Sequence, residues 1–228
     1  MLVNSIPVIA IDGPSASGKG SVAERVAEHL GFHYLDSGAL YRLVALAASD
    51  HQIAWTDAAA LGALVPTLSI AFKKGAVFLN DQNVSDAIRS PAISNGASQV
   101  AVHQAVRSAL LALQQSFRRP PGLVADGRDM ASVVFTDAQV KIFLTANVAE
   151  RANRRYQQLT KQGVNVDYAH ILQDLQARDA RDQSRASAPL LHTKEAILLD
   201  TDHRDIDEAV AFVLKQYASR YQKHRPEQ

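Results

Sequence analysis

The chain has 228 residues, 47% of them apolar and 21% charged, with no cysteine and a formal net charge of +1. Such a length suits one compact domain, or one carrying sizeable insertions, and no apolar run approaches the ~20 residues that span a bilayer. The lack of cysteine excludes disulfides, thiolate nucleophiles and thiolate metal sites, and the balanced charge argues against a general nucleic-acid binder.

The opening "MLVNSIPVIAIDG" has no basic n-region and runs directly into an apolar strand at "PVIAI", so a cytoplasmic chain without a signal peptide is expected. The following "IDGPSASGKGSVAERV" passes from that strand through a small-residue loop into a helix predicted over 19–30. Gly13, Gly18 and Lys19 match G-x-x-x-x-G-K, the loop whose backbone amides surround phosphate oxygens while the lysine reaches the β- and γ-phosphates. The next position, where a Ser or Thr usually meets magnesium, is Gly20, and a hydroxyl follows only at Ser21.

A second strand, "FHYL" (32–35), leads into "LDSGALYR" (35–42) and a helix over 38–49, for which Asp36 or Ser37 is a candidate cap. Between 63 and 100 the pattern becomes an apolar–polar alternation in "TLSIAF", "AVFLN" and "QNVS", with turn signals at Lys74–Gly75 and Asn80–Asp81. This segment reads as a small antiparallel insert. A helix over 103–117 precedes the strand "GLVAD" (122–126), which ends on Asp126 and continues into "DGRDM". Asp126 can hold magnesium through water, or it can cap a helix; both readings fit its position. Arg128 and Asp129 lie at the carboxyl end of that strand, where open α/β sheets bind ligands.

The strand "VKIFL" (140–144) is followed by helices over 147–160 and 167–184, joined by "TKQGVNVD". Arginines gather here in "ERANRR" (150–155) and "ARDARDQSR" (177–185). Arg178, Asp182 and Arg185 fall at i, i+4 and i+7 of one helical stripe; they line an anionic ligand, or they form a solvated face with pairs worth ~0.3–0.5 kcal/mol each. The strand "AILLD" (196–200), a helix over 205–221 and a frayed tail "KHRPEQ" close the chain. The repeated strand–helix order predicts an α/β fold with a five-stranded parallel sheet between two helical layers. The eight histidines are scattered, without the spacing of a metal site.

"GPSASGKGS" resembles the phosphate loop of nucleoside monophosphate kinases, G-x-x-x-x-G-K-G-[ST], in which phosphates and water hold most of the magnesium shell. With "LDSGALYR", "ASQVA…VR", "DGRDM", "VKIFL" and "RD…RD..R" in that order over residues 6–218, the chain resembles the bacterial-type cytidylate kinases. The resemblance implies a P-loop kinase core over 1–62 and 101–228, a lid within 151–185 and a monophosphate-binding insert over 63–100. It implies ATP held by Gly13, Pro14, Ser15, Ala16, Ser17, Gly18, Lys19, Gly20 and Ser21, with Arg151 and Arg155 at adenine or phosphate. Ser37, Arg42 and Arg128 then surround the CMP phosphate and ribose. Ser98, Arg107 and Asp129 read cytosine, Arg178 and Asp182 contact ribose and phosphate, and Arg185 lies near the acceptor. Lys19, Arg128 and Arg185 carry the catalytic positive charge, with Mg²⁺ on phosphates, water and Asp126. Thr136, in "VVFTDA", departs from the proline usual in the family and touches only a loop.

The implied reaction is ATP + CMP giving ADP + CDP, with dCMP as a second acceptor, in pyrimidine nucleotide metabolism. No membrane or nucleic-acid partner is expected, and the chain is expected to act as a monomer. The acceptor is already a phosphate dianion near neutral pH, so no dedicated base is needed; positioning and positive charge suffice. A kinase of another small acceptor would use the same core. A nucleotide-dependent switch would show a guanine-reading N-K-x-D motif and no second set of arginines.

Overall fold

The structure is a computed structural model that describes residues 6–73, 75–161 and 163–222. Residues 1–5, Lys74 of the expected Lys74–Gly75 turn, Gln162 of the expected 160–167 turn and the tail 223–228 lie outside the described residues. In chain order the first elements are β1 (Val8–Asp12), α1 (Lys19–Leu30), β2 (His33–Asp36), α2 (Ser37–Asp50) and α3 (Ala58–Leu64). There follow β3 (Ile70–Lys73), β4 (Ala76–Leu79), β5 (Gln82–Asn83), α4 (Pro91–Val100) and α5 (Gln104–Ser116). The last are β6 (Leu123–Gly127), β7 (Val140–Thr145), α6 (Val148–Lys161), α7 (Tyr168–Ser184), β8 (Ile197–Asp200) and α8 (Ile206–Gln222). Between β6 and β7 the chain makes a single π turn over Met130–Val134. Met1–Leu35 with Phe117–Gln228 forms one compact unit and Asp36–Ser116 the other. Among the described residues no helix is long and apolar enough to cross a membrane.

The first unit is built on a five-stranded parallel sheet in the order β2-β6-β1-β7-β8. Its centre, β1, is buried at every position, which is why the segment reads as a continuous apolar run and not an alternating one. Ile9, Ile11, Val124, Ile142 and Leu144 of the strands pack with Val22 and Val26 of α1 and Val213 of α8. The β1 register sets Ile11 beside both Asp126 and Ile142, so β1, β6 and β7 deliver their carboxyl ends, and the loops beyond them, to one edge. A separate small cluster of Ala152, Leu159, Ile171 and Leu175 joins α6 to α7. Asp167 caps α7 by accepting from the Ala169 and His170 amides, both at 3.3 Å.

The second unit is helical apart from the antiparallel sheet β3-β4-β5. Asn80 and Asp81 both take left-handed backbone, with φ of 49° and 65°, as a type I′ hairpin turn requires. The cap of α2 is Asp36 and not Ser37: its carboxylate accepts from the Ala39 amide at 3.0 Å, and Ser37 is the first helical residue. Two helices were invisible to apolar spacing. Seven-residue α3 is too short for a periodic signal, and α4 reads "PAISNGASQV", poor in helix formers. Pro91 in its first turn, the Ser90 cap on the Ile93 amide (3.4 Å) and burial of Ile93, Ala97 and Val100 hold α4 together.

Gly13, the first loop residue after β1, has no room for a side chain: a Cβ there would lie 2.0 Å from the Leu144 carbonyl oxygen of β7. Gly13→Ala therefore forces the strand ends apart. A loss of about 3 kcal/mol in urea unfolding is expected, and an unchanged midpoint would contradict this reading.

Candidate active site

The loop between β1 and α1 turns through left-handed backbone at Ala16 (φ 58°) and Gly18 (φ 91°), and α1 starts at Lys19. Alternating backbone hand of this kind points successive N–H groups into one concavity, and the helix N-terminus adds partial positive charge. The loop is anchored at its start by the Gly13 amide on the Gly127 carbonyl at 3.3 Å. Its carbonyls are engaged by residues from α6 and from beyond β8. Ser15 O accepts from Arg151 at 3.1 Å, and Ser17 O accepts from Arg154 and from the Thr201 hydroxyl, both at 3.4 Å. The Lys19 ammonium folds over the loop to donate to the Pro14 carbonyl at 3.3 Å. Ser17 Oγ is buried with no hydrogen-bond partner among the described residues.

Carboxylates organise the arginines of this unit. Asp182, 1% exposed, accepts from Arg128 Nε at 2.7 Å on one oxygen and from Arg185 on the other. Burial raises the pKa of Asp182, but the charges of Arg128, Arg185 and Arg178 outweigh it and hold the carboxyl below its ordinary range. For Arg128 the balance is similar: burial opposes its charge, and Asp182, Asp126 and Asp179 more than restore it. Arg185 lies just past the end of α7 on extended backbone, so the i+7 position of the stripe is not helical, yet its guanidinium turns back to Asp182. The side chains of Arg128, Asp182 and Arg185 are 14%, 1% and 5% exposed, which excludes a solvated ion-pair face. Arg151 is buried on Asp179, at 2.6 and 3.2 Å, and also donates to the Ala146 carbonyl at 2.9 Å. Arg155 is half-buried and reaches Gln158 at 3.0 Å.

Asp126 sits inside β6, so it is not a helix cap, and it accepts from the Tyr34 hydroxyl at 2.8 Å. Asp129 is buried beside the π turn and makes no capping bond to it. That work falls to Asp12, the last residue of β1, whose two oxygens accept the Met130 and Ala131 amides at 2.8 Å each. Ser21 is exposed on the first turn of α1, and Thr136 is exposed in the turn before β7.

In the second unit Ser37 is buried at the start of α2, and Arg42 pairs with Asp36 at 2.5 Å. Arg42 Nε and Ser98 Oγ are both buried without a hydrogen-bond partner among the described residues. Arg107, 7% exposed, lies with its guanidinium 5.9 Å from the Tyr41 ring centre and donates to the Ala101 carbonyl at 3.4 Å.

A family model described as cytidylate kinase matches residues 9–219. The chain belongs to the cytidylate kinase family. It is 59% identical over 217 residues to a cytidylate kinase of Polynucleobacter asymbioticus, covering 95% of this chain and 99% of that one. It is 54% identical over 214 residues to a cytidylate kinase of Cupriavidus necator, covering 94% and 96%.

For a cytidylate kinase, the spacing of the loop and of the α7 arginines was legible in the residues themselves. Four supporting groups were not. Asp179, Thr201, Tyr34 and Asp12 each act on a partner at least 28 residues away; Asp12, Tyr34 and Asp179 lie in or beside quoted motifs, but nothing in those motifs names their partners.

Two outcomes follow from the carboxylates. Replacing Asp182 by Ala leaves buried guanidinium groups without their counter-charge and is expected to cost about 3–5 kcal/mol in chemical unfolding. Wild-type stability in that variant would refute the assignment. Burial, against the Ala131 amide and with the charge of Asp129 adding to it, pushes the Asp12 carboxyl from 3.8 up to about 7. The folded state therefore binds more protons than the unfolded state across that window, so the contribution of Asp12 falls as pH rises from 3.8 to about 7 and is level above. At ~1.4 kcal/mol per pH unit the change is on the order of 4 kcal/mol. Asp12→Asn should flatten the stability–pH curve there relative to wild type; parallel curves would contradict it.

Proposed function

We propose that the chain transfers the γ-phosphoryl group of ATP to CMP or dCMP, giving ADP and CDP or dCDP. The observation that carries this is the anion-binding loop ending on Lys19 in the same unit as an arginine set held on Asp182. The bond from the γ-phosphorus to the oxygen it shares with the β-phosphate breaks, and one forms from a CMP phosphate oxygen. Loop amides and Lys19 take the donor phosphates. Arg155 meets the donor nucleotide, whereas Arg151 acts through the loop, since Ser15, Ala146 and Asp179 already occupy its guanidinium.

On the acceptor side, Ser37 and Arg42 of the 36–116 unit take the CMP phosphate, and Ser98 with Arg107 donates to cytosine N3 and O2. The buried, unpartnered Ser98 hydroxyl and Arg42 Nε support these roles, because such groups cost free energy until a ligand satisfies them. In the core unit Asp129 accepts from the cytosine N4 amine. Arg128, Arg178 and Arg185, with Asp182, serve ribose and phosphate and carry the charge that develops in transfer. The α6–α7 segment, within 151–185, acts as the lid.

Among the described residues no group of three or more histidines and carboxylates is placed to hold a metal ion. One buried carboxylate, Asp126, faces the start of α1. That donor set fits a Mg²⁺ brought in on the nucleotide, with phosphates and water as most of its shell and Asp126 as the protein contribution. When bound, the ion neutralises phosphate charge.

Lys19→Ala is expected to lower turnover by about a thousandfold while leaving the unfolding midpoint unchanged, since its side chain has no core role. Near-normal turnover in folded protein would remove the loop assignment. Uracil would turn O4 toward the Asp129 carboxylate, so wild type should favour CMP strongly. Asp129→Asn is expected to shrink the CMP/UMP ratio of kcat/KM at least about tenfold with the KM for ATP retained. A ratio that does not move would take Asp129 out of base reading.

A further inference from the structure

Gly20 occupies the position at which most G-x-x-x-x-G-K loops carry a Ser or Thr hydroxyl. Sterics do not demand a glycine there. A Cβ at residue 20 would meet nothing closer than Tyr34 Oη at 3.6 Å and Asp126 Oδ2 at 3.9 Å, both ordinary van der Waals distances. The backbone is that of an ordinary helical residue in the first turn of α1, so conformation does not demand it either. What the two distances reveal is the neighbourhood into which a residue-20 hydroxyl would project: another hydroxyl, and the carboxylate at the end of β6.

That other hydroxyl comes from β2. Tyr34 Oη donates to Asp126 Oδ1 at 2.8 Å, joining residues 92 apart in sequence, while Oδ2 is the oxygen nearest Gly20. The tyrosine ring is partly buried against the core that includes Val22, Val26 and Val124, so the phenol is fixed by packing. The missing Ser or Thr would have offered a hydroxyl to the metal; here the nearest hydroxyl is held by a carboxylate instead. That hydroxyl comes from the strand β2 and acts on Asp126.

We infer that, in a loop lacking the usual hydroxyl, Tyr34 is a positioning residue that tethers Asp126 through Oδ1 and leaves Oδ2 toward Gly20 as the oxygen that would serve a metal carried by the nucleotide. This rests on the reading of Asp126 as the carboxylate on the metal side. The phenol touches neither nucleotide nor metal; it sets the orientation of the group that does, as outer-shell partners of metal ligands do. Gly20 then has a reason beyond phosphate approach: with Oδ1 held by Tyr34, a hydroxyl at residue 20 would engage Oδ2, the oxygen left for the metal.

The test measures Mn²⁺ binding to the enzyme–ADP complex by electron paramagnetic resonance, with ADP binding in chelator as the control, so it does not depend on turnover. Tyr34→Phe is expected to weaken Mn²⁺ binding about tenfold and leave metal-free ADP binding unchanged. Adding Tyr34→Phe to an Asp126→Ala background should weaken Mn²⁺ binding no further, because Tyr34 acts only through that carboxylate. Asp126→Ala, measured in parallel, reports on the underlying reading. If it binds Mn²⁺ as wild type does, that reading fails. If it weakens binding but Tyr34→Phe does not, or if the two losses add in the double variant, the role of Tyr34 is overturned. Thermal unfolding of each folded variant separates a metal effect from general loss of structure.

Discussion

Collecting positive charge to receive polyanions is costly while the anions are absent, and paired carboxylates, the most buried of them Asp182, meet that constraint here. Asp182 holds Arg128 and Arg185, Asp179 holds Arg151, and in the other unit Asp36 holds Arg42. Each pair keeps a guanidinium oriented, and those on Asp182 and Asp179 largely desolvated, without leaving it uncompensated. A preorganised cation need not rotate into place when phosphate arrives, and this is the condition under which electrostatic stabilisation of phosphoryl transfer is largest. The depressed pKa of Asp182 expresses the same coupling from the carboxylate side.

The phosphate loop is subject to a related discipline. Its amides can face an anion because its carbonyls are engaged by Arg151, Arg154 and Thr201, and because Gly13 lets β1 and β7 close to backbone contact. Arg154 illustrates how much one side chain can tie together: it also reaches Glu150 at 2.9 Å and the Thr201 carbonyl at 2.5 Å. Helix α6 therefore serves the loop from outside, although its "ERANRR" composition alone suits a solvated surface equally well.

Much of the fold was written in local pattern. Apolar runs marked the five strands of the parallel sheet, and apolar spacing placed α1, α2 and α5–α8 within a residue or two, because each buries an apolar stripe, that of α6 and α7 in their own small cluster. The misses have local causes. Short α3 and the Ser/Asn/Gly-rich α4 are stabilised by caps and tertiary burial, not by propensity. Between the two candidate caps, Asp36 and Ser37, sequence could not choose; Asp36 has the carboxylate that reaches the Ala39 amide. In the site, Arg178 and Asp182 could be paired by helical spacing, whereas Arg185 needed the bend beyond α7. Arg151, expected at adenine or phosphate, is spent on backbone carbonyls and Asp179. Asp12 and Tyr34 reach partners 118 and 92 residues away, and no spacing rule reports a contact made across neighbouring strands.

The claim that this machinery serves a specific second anion is tested most directly by ADP release from wild-type enzyme with ATP and Mg²⁺, comparing CMP, dCMP, UMP and no acceptor. Fast release with CMP and dCMP, much slower release with UMP and almost none without acceptor is the predicted order, since the site holds its charge for a nucleotide and not for water. Equal ADP release with and without CMP would contradict it.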